Sequence, residues 1–390
     1  MLDQGEREAT MSDGVLPGMT EDELALVRRP LEHAWTLPPA AYVRDDVYDL
    51  EVERVFRRAW TPLARTDQLP EPGDYLTVDL MGQPLLVVHG TDGVFRVMSN
   101  VCLHRAAAIA EGAGRRKLFT CPYHSWAYDT AGQLVAAPLM DGAEGFAPEG
   151  CRLPQVRTEV WEGFILANLD PGAEPFAPQV EGLRSYFERY RMADMVVVRT
   201  LTYDSGWNWK VLVENFMEAY HHIGPHAQTF EPVFHARDSK VPDNHGQPWS
   251  ILHMPAADPA AAGHGDRVVQ GLEDWQAGAL FAAVAFPHFM FALHGNGMAW
   301  YQVFPEAADR LVLKIHVCVP GFARQLPEFE QIVEASAQFT DHIHQEDIAA
   351  NDLVWRGLKA PMTKQGRLSP LEASIWQINQ WWLERMGAII

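Results

Sequence analysis

The spacing of hydrophobic residues changes along the chain and marks regions of different structure. Around 20–29 and 46–59 apolar residues recur at helical intervals, and Thr20 with Glu23 has the spacing of a capping box. Between about 60 and 170 the chain instead has short β-branched runs separated by Gly, Pro and Asp. These runs cover 74–80, 84–90, 94–101 and 163–169. They predict an antiparallel, loop-rich β domain.

The second half mixes helical and strand patterns. A Pro/Gly-rich segment at 171–178 predicts a linker, and 227–278, with weak periodicity, predicts long loops. The predicted helices are 181–190, 206–222 (ended by Gly224–Pro225), 328–356 and 370–386, and the predicted strands are 194–204, 284–293, 298–304 and 310–319. A sheet flanked by helices is an α+β arrangement. We therefore divide the chain into an N-terminal arm and helix (1–45), a β domain with a flanking helix (46–175) and a second domain (176–390).

Composition narrows the class of protein. Of 390 residues, 47% are hydrophobic and 21% charged, which is typical of a globular protein. A formal net charge of −20 argues against binding nucleic acid or an anionic membrane. Four cysteines are too few for a disulfide scaffold, and we find neither a membrane-spanning stretch nor a signal peptide. We expect a cytoplasmic protein whose first ~15 residues form a poorly ordered arm.

Two of the cysteines belong to a metal-binding pattern. Cys102-x-His104 is followed after sixteen residues by Cys121-x-x-His124. Two thiolates and two imidazoles suit either tetrahedral zinc or a [2Fe–2S] cluster with two ligands of each type. Zinc motifs usually pair residues of one type, whereas both pairs here are mixed. The pattern therefore favours the cluster, with zinc as the alternative.

A second pattern lies about a hundred residues downstream. Glu218 and His221 are three residues apart on a predicted helix, and His226 follows the Gly224–Pro225 break. Two histidines and a carboxylate form the facial triad of non-heme Fe(II) oxygenases. A cluster that stores electrons needs an acceptor, so the two patterns support one another. The neighbouring His222 is expected to be structural or to support the site, and not to bind metal.

The motifs NVCLHRAA, FTCPYHSWAYD and ENFMEAYHHIGPH together resemble the catalytic α subunit of Rieske non-heme iron oxygenases, which hydroxylate aromatic rings or demethylate substrates. The resemblance covers about 40–390. It implies an α+β fold, with an N-terminal antiparallel β Rieske domain and a C-terminal helix-grip-like (START/Bet v1-type) antiparallel sheet with helices. Ser125 stands where many members have Gly, and Trp355 where Gln is frequent.

The resemblance also implies residue roles. His221 and His226 would bind the mononuclear iron, and Asn215 falls on a family Asn near it. Asp347 would be the third ligand, with Glu346 and Asp352 as alternatives. Glu218 would bridge His221 to the cluster histidine His124 of a neighbouring subunit in a homotrimer or a dimer of trimers.

The implied function is O₂-dependent hydroxylation of an aromatic small molecule. Because no nucleotide-binding G-x-G-x-x-G motif is present, electrons would come from an external NAD(P)H reductase or ferredoxin. Aromatic side chains expected in the substrate pocket also suit a methylated ammonium (betaine, choline or carnitine type), which is the alternative. The expected pocket residues are Phe216, Ile223, Phe230, Phe289, Phe291, Leu293 and Trp300. Two non-oxygenase hypotheses are a ferredoxin-like carrier, whose shorter chain and lack of an iron site do not fit, and a zinc-stabilised ligand-binding protein.

Overall fold

The structure, a computed structural model, describes residues 16–258 and 269–388. The arm expected over the first ~15 residues lies almost wholly outside this range. The helices are α1 (Glu21–Val27), α2 (Ala40–Val43), α3 (Asp45–Arg54), α4 (Phe176–Gln179), α5 (Glu181–Phe187), α6 (Trp209–Phe216), α7 (Asp274–Ala277), α8 (Phe329–Leu358) and α9 (Ala373–Met386). No helix within the described ranges is both long and apolar enough to cross a lipid bilayer.

The predicted runs at 74–80, 84–90, 94–101, 163–169, 194–204 and 310–319 each coincide with a strand, and the structure adds others. They are β1 (Thr61–Arg65), β2 (Asp74–Leu80), β3 (Gln83–His89), β4 (Phe95–Ser99), β5 (Ala113–Arg115), β6 (Leu118–Thr120), β7 (Ala127–Asp129), β8 (Leu134–Ala136), β9 (Gln155–Trp161), β10 (Phe164–Asn168), β11 (Met195–Ser205), β12 (Trp249–Pro255), β13 (Ala279–Ala285), β14 (Phe289–His294), β15 (Gly297–Ala307) and β16 (Arg310–Pro320). The predicted α+β fold with two β-containing parts is confirmed.

The N-terminal part is built from two antiparallel sheets. The larger has the strand order β1-β10-β9-β4-β3-β2-β5, and the smaller has the order β6-β7-β8. Alternating apolar residues of β3 and β4, such as Leu85, Val87 and Val97, are fully buried in the core of the larger sheet. The smaller sheet and the loops before and after it enclose a second core that contains Cys102 and Cys121. The predicted metal-binding loops are thus held between two packed sheets.

The C-terminal part is an antiparallel sheet with the order β11-β16-β15-β14-β13-β12. The long helix α8 packs against β11 and β16 on one face. On the opposite face, Phe289, Phe291 and Trp300 pack against Trp161 and Phe164 of the N-terminal part. This shared core joins the two parts through a fully buried aromatic layer.

Four predictions about elements are wrong: the helix predicted at 206–222 is shorter, because α6 ends at Phe216, and the other three lie at 171–178, 227–278 and 284–293. Residues 227–278 are not only loops, because β12 lies within them as an edge strand and pairs with β13. The predicted strand 284–293 is two strands that meet at the Phe286–Pro287 turn, which has a cis peptide bond. The segment 171–178 is not a free linker, since Phe176 begins α4 and is buried in the shared core.

The N-terminal helices pack with the C-terminal part. Leu24 and Val27 of α1 are fully buried in the core beneath the six-stranded sheet, and so is Val47 of α3. Two side chains of α9 donate hydrogen bonds to carbonyls at the end of α1, from Gln380 to Val27 and from Trp376 to Arg29. The division at 45/46 stays a prediction, and this packing favours assigning α3 to the C-terminal part.

Candidate metal centres and the adjoining cavity

The two cysteine–histidine loops have the same backbone design. Cys102 N donates to Ala107 O at 2.9 Å and Ala106 N to Cys102 O at 3.1 Å; in the second loop the same bonds join Cys121 N to Trp126 O (2.8 Å) and Ser125 N to Cys121 O (3.0 Å). Ala106 and Ser125 both have positive φ, 56° and 59°, which L-residues adopt at a cost. Two equivalent strained turns therefore present the four predicted ligands.

The side chains of these loops face one another. The rings of His104 and His124 lie 4.6 Å apart between centroids, and His104 stacks on Trp126 at 4.9 Å. Both cysteines are buried, and Tyr128 Oη lies 3.4 Å from Cys102 Sγ. Burial, followed by the hydrogen bond to Cys102, raises the pKa of the Tyr128 hydroxyl, which therefore keeps its proton at neutral pH.

The donor set fits a two-iron cluster better than a single ion. A tetrahedral zinc site would bring all four ligand atoms within about 4 Å of one another. Among the described residues, however, the group whose ligand atoms all converge within 4.8 Å is His221, His226 and Asp347, and the cysteine–histidine set is not such a group. Two buried thiolates with two exposed imidazoles match the split ligation of a Rieske [2Fe–2S] cluster.

The second set of predicted ligands lies after α6, which ends at Phe216. The predicted helix 206–222 is therefore too long: Glu218 lies in a turn, and a short 3₁₀ segment follows at Tyr220–Ile223. Glu218 nevertheless binds His221 twice, because Oε2 accepts from the His221 backbone N at 3.0 Å and Oε1 lies 2.6 Å from Nδ1. The three-residue spacing therefore brings Glu218 and His221 together as expected, but through the bend after α6 and not along one face of a helix.

Asp347 completes this set from α8. Its Oδ1 lies 3.0 Å from His226 Nε2 and 3.5 Å from His221 Nε2. Burial opposes charge on His221, but hydrogen bonds to Asp347 and Glu218 raise its pKa to about 9. Burial also opposes charge on Asp347, but hydrogen bonds from the two histidines hold its pKa well below the usual range. A metal ion held here would displace the proton from Nε2 of His221.

Glu346, an alternative third ligand, binds the outer side of the site. Its Oε2 lies 2.7 Å from His226 Nδ1 and accepts from Thr229 Oγ1 at 2.8 Å. A carboxylate can only accept, so Glu346 is placed to receive a hydrogen bond from Nδ1, while Nε2 points toward Asp347 and the metal position. Asp352 is exposed on α8. The geometry therefore favours Asp347 over both alternatives.

These residues open onto a cavity of about 500 Å³. Of the residues expected in the pocket, Phe216 and Phe230 line it, and so do Asn215 and apolar residues of β12–β16 and α8. Ile223 does not line it and is 59% exposed. His222 also lines it, and burial lowers its pKa to about 4, which leaves a neutral imidazole that faces the carbonyl of Phe234 at 3.2 Å.

Four predicted pocket residues lie on the wrong side of the sheet. Phe289, Phe291, Leu293 and Trp300 are fully buried in the aromatic layer shared with the N-terminal part. Their strand neighbours Ala292, His294, Ala299 and Tyr301 line the cavity instead. Alternation along a strand identifies two faces, but both faces are buried here, so the pattern did not show which one holds a cavity.

Comparison with known proteins agrees with this geometry. Residues 192–388 match the ring-hydroxylating alpha subunit (catalytic domain), and residues 59–155 match the Rieske [2Fe–2S] domain. The chain belongs to the family of ring-hydroxylating alpha subunits. It therefore combines a Rieske [2Fe–2S] cluster with a mononuclear non-heme iron, as expected from the two motifs.

Relatives in this family act on different substrates. The chain is 33% identical over 198 residues to the carnitine monooxygenase oxygenase subunit of Acinetobacter baumannii, a match that covers 49% of this chain and 52% of that protein. The chain thus spans only about half the length of this relative. It is 26% identical over 365 residues to the chloroplastic choline monooxygenase of Spinacia oleracea, covering 90% of this chain and 78% of that protein.

Solved structures show the same fold. A quaternary ammonium Rieske monooxygenase superposes with a TM-score of 0.80 at 24% identity, covering 94% of this chain and 99% of the other. Naphthalene 1,2-dioxygenase from Rhodococcus sp. superposes with a TM-score of 0.78 at 19% identity, covering 94% and 98%. One fold thus carries enzymes for different substrates, so the substrate has to be inferred from the cavity.

Proposed function

We propose that this chain is the oxygenase component of a multicomponent Rieske oxygenase that mono- or dihydroxylates an apolar, aromatic small molecule with O₂. The observation that carries the proposal is the convergence of His221, His226 and Asp347 on one side of a largely apolar cavity. Electrons would come from an NAD(P)H-dependent reductase, directly or through a ferredoxin. We place the enzyme in the cytoplasm, which suits its four free cysteines, and in the breakdown of aromatic compounds.

We assign the ligands of the two metal centres from the positions of these side chains. Cys102 and Cys121 would hold one iron of the cluster, and His104 and His124 the other. The Nε2 atoms of His221 and His226, with Asp347, would hold the mononuclear iron, which activates O₂ when bound. With the iron bound, Glu218 and Glu346 would accept hydrogen bonds from Nδ1 of the two histidines, which leaves each Nε2 to bind the metal. The apolar walls orient the substrate and exclude water from the reaction.

We further propose that the working unit is a ring of three chains, in which Glu218 connects His221 to His124 of the next subunit. The chain has two exposed apolar patches that such contacts would cover. One comprises Leu103 and Tyr123 beside the cluster loops (42% and 55% exposed), and the other comprises Tyr220 and Ile223 beside His221 (47% and 59%). The solved quaternary ammonium monooxygenase is itself described in terms of inter-subunit electron transfer.

A second candidate substrate is a methylated ammonium compound. Relatives named carnitine and choline monooxygenases support it, and the cavity lining includes four aromatic side chains of the kind that bind cations: Phe216, Phe230, Phe339 and Tyr301. The two candidate substrates are distinguished by comparing the binding of choline with that of its uncharged isostere 3,3-dimethylbutan-1-ol. Tighter binding of choline favours the ammonium, and tighter binding of the neutral alcohol favours the aromatic candidate.

The decisive experiment combines metal analysis with product detection. Purified protein should be red-brown and contain about three irons per chain, two in the cluster and one in the mononuclear site. A colourless protein that contains zinc and no iron would reject the proposal in favour of the ligand-binding hypothesis. Substrates are then screened with a surrogate reductase and scored by oxygenated product, because NADH consumption also reports uncoupled turnover.

Two variants test the assigned residues. Glu218→Gln should leave the cluster spectrum and iron content unchanged while product formation falls to background; normal turnover would exclude the bridge. Asp347→Ala should lose the mononuclear iron and keep the cluster. Retention of that iron would transfer the ligand role to Glu346.

A further inference from the structure

The cavity beside the proposed iron ligands extends along α8. On α8 its lining runs along one helix face through Ile332, Ser336, Thr340, Ile343 and Asp347. From Ile332 to Asp347 the helix rises by about 22 Å, at 1.5 Å per residue. The proposed iron ligands lie at the Asp347 end, so most of the cavity extends away from them along the helix.

On the side of the sheet, the cavity is lined by small residues that are paired across neighbouring strands. Ala282, Ala292 and Ala299 stand directly opposite one another on β13, β14 and β15, and Val317 stands opposite Ala299 on β16. All four line the cavity. Because larger side chains here would reach toward α8, these residues leave the middle of the cavity open and apolar.

Strand β15 gives a second measure of length. Tyr301 lies at the iron end, where its ring packs on Phe216 at 4.6 Å between centroids, just before Glu218 in the chain. Asn296, in the β14–β15 hairpin turn, is five residues earlier and lines the same cavity. Five residues of strand correspond to about 16 Å. Asn296 and the proposed iron ligands are therefore at opposite ends.

The side-chain oxygen Oδ1 of Asn296 is buried and has no hydrogen-bond partner among the described residues. An unpaired polar group of this kind is unfavourable until a partner is supplied. The neighbouring His294 also lines this end, and its Nδ1 accepts from the Asn296 backbone N at 3.3 Å. The remote end of the cavity is thus polar, whereas its middle is apolar.

We propose that the substrate is an elongated molecule about as long as two linked aromatic rings, apolar along its length, with a hydrogen-bonding group at the end remote from the iron that binds Asn296. This inference rests on the proposed function, because it takes the cavity to be the substrate site. A single ring would not reach from the iron end to Asn296. A long molecule without a polar end would leave this Oδ1 unpaired.

The test measures binding alone, by equilibrium dialysis of the holoprotein with 4-phenylphenol, biphenyl and phenol. We expect 4-phenylphenol to bind about tenfold more tightly than either biphenyl, which lacks the polar end, or phenol, which lacks the length. Asn296→Leu should reduce the preference for 4-phenylphenol over biphenyl to less than twofold, and Asn296→Gln should restore part of it. Gln338→Leu, which removes a carboxamide from the exposed face of α8, is the matched control and should keep the preference.

Three outcomes would overturn the inference: equal binding of 4-phenylphenol and biphenyl, equal binding of phenol and 4-phenylphenol, or an unchanged preference in a folded Asn296→Leu protein. Absence of binding by all three compounds would also overturn it. Failure of the proposed function is seen separately, as missing iron or missing product, while the binding preference remains. Conversely, an iron-loaded, active enzyme without the preference rejects only the substrate class.

Discussion

Each histidine of the proposed iron site has its outer ring nitrogen fixed by a carboxylate. Glu218 binds His221 and Glu346 binds His226, both through Nδ1. The two acids differ in what else they contact, since Glu218 is bound to the His221 backbone and Glu346 to the Thr229 hydroxyl. We therefore expect Glu346 to act as a positioning residue that sets metal affinity.

Replacement of Glu346 tests this role. Glu346→Ala should weaken metal binding at the mononuclear site by about 10- to 100-fold, because His226 loses the partner that fixes its tautomer and orientation. Affinity is measured by titrating iron-depleted mononuclear sites with Co²⁺ and following the visible spectrum of the ion. Glu346→Gln should recover part of the affinity, and Asp352→Asn, on an exposed part of the same helix, should have no effect. Equal affinity of the alanine variant and the parent would contradict the role.

A buried acid near the site gives a pH prediction. Burial raises the pKa of Glu214 from 4.5 to about 7, although the hydrogen bond from Tyr42 (2.6 Å) and the charge of Lys210 oppose the rise. Between pH 4.5 and 7 the folded chain therefore keeps a proton that the unfolded chain releases, so this group's contribution to stability falls as pH rises. The substitution Glu214→Gln removes this pH-dependent contribution to the free energy of unfolding.

The Gln variant should thus be more stable than the parent at pH 8, by on the order of 2–3 kcal/mol, and the difference should shrink toward zero near pH 4. Urea unfolding midpoints of both proteins at pH 5 and pH 8 provide the measurement. A difference that does not change with pH would mean that Glu214 is ionised throughout.

At the scale of elements, a buried ion pair joins three helices. Glu51 of α3 accepts from Lys210 Nζ of α6 at 2.5 Å and from the indole nitrogens of Trp209 (2.9 Å) and Trp382 of α9 (2.7 Å). Burial lowers the pKa of Lys210, and the neighbouring Glu51 opposes this. This ion pair and its two indole hydrogen bonds hold α6 against the N- and C-terminal helices. Helix α6 leads directly into Glu218 and His221.

Breaking this pair should destabilise the protein strongly. Lys210→Met leaves the Glu51 carboxylate buried without a cation, which typically costs about 3–5 kcal/mol. Thermal unfolding of the variant should therefore begin well below that of the parent, and the double variant Glu51→Gln/Lys210→Met should regain most of the loss. If the double variant is as unstable as the single one, packing and not the uncompensated charge is responsible.

Elements were predicted well where one periodicity dominates. The alternation of Leu311, Leu313 and Ile315 identified β16, and the 30 residues of α8 follow a sustained helical repeat. Errors arose where the local sequence favours one structure and contacts with distant residues favour another. β12 lies among Pro and Gly residues and is held as a strand by its pairing with β13, and α6 ends at Phe216 although the sequence after it could continue a helix.

At the scale of the whole molecule, the proposed trimer predicts a role for exposed apolar residues. Ile223→Glu places a charge in the patch beside His221, and burying that charge in a subunit contact is unfavourable. We expect light scattering to show three chains per particle for the parent and a shift toward single chains for the variant, with the cluster spectrum unchanged. Val94→Glu, in the exposed β3–β4 turn, is the control and should remain assembled. A trimeric Ile223→Glu protein would remove this patch from the interface.

The sequence by itself determined the features that depend on neighbours in the chain. The cysteine–histidine pairs, the Glu218–His221 spacing and the family they indicate are local patterns, because tight turns bring those side chains together. Only the tertiary structure decided three other features: that Asp347 and not Glu346 faces the Nε2 atoms, that the cavity lies on the Ala292–Ala299 face of the sheet, and that Asn296 ends it. These depend on how α8 and the aromatic layer pack on two equally apolar sheet faces, and spacing along one strand carries no information about what lies across it.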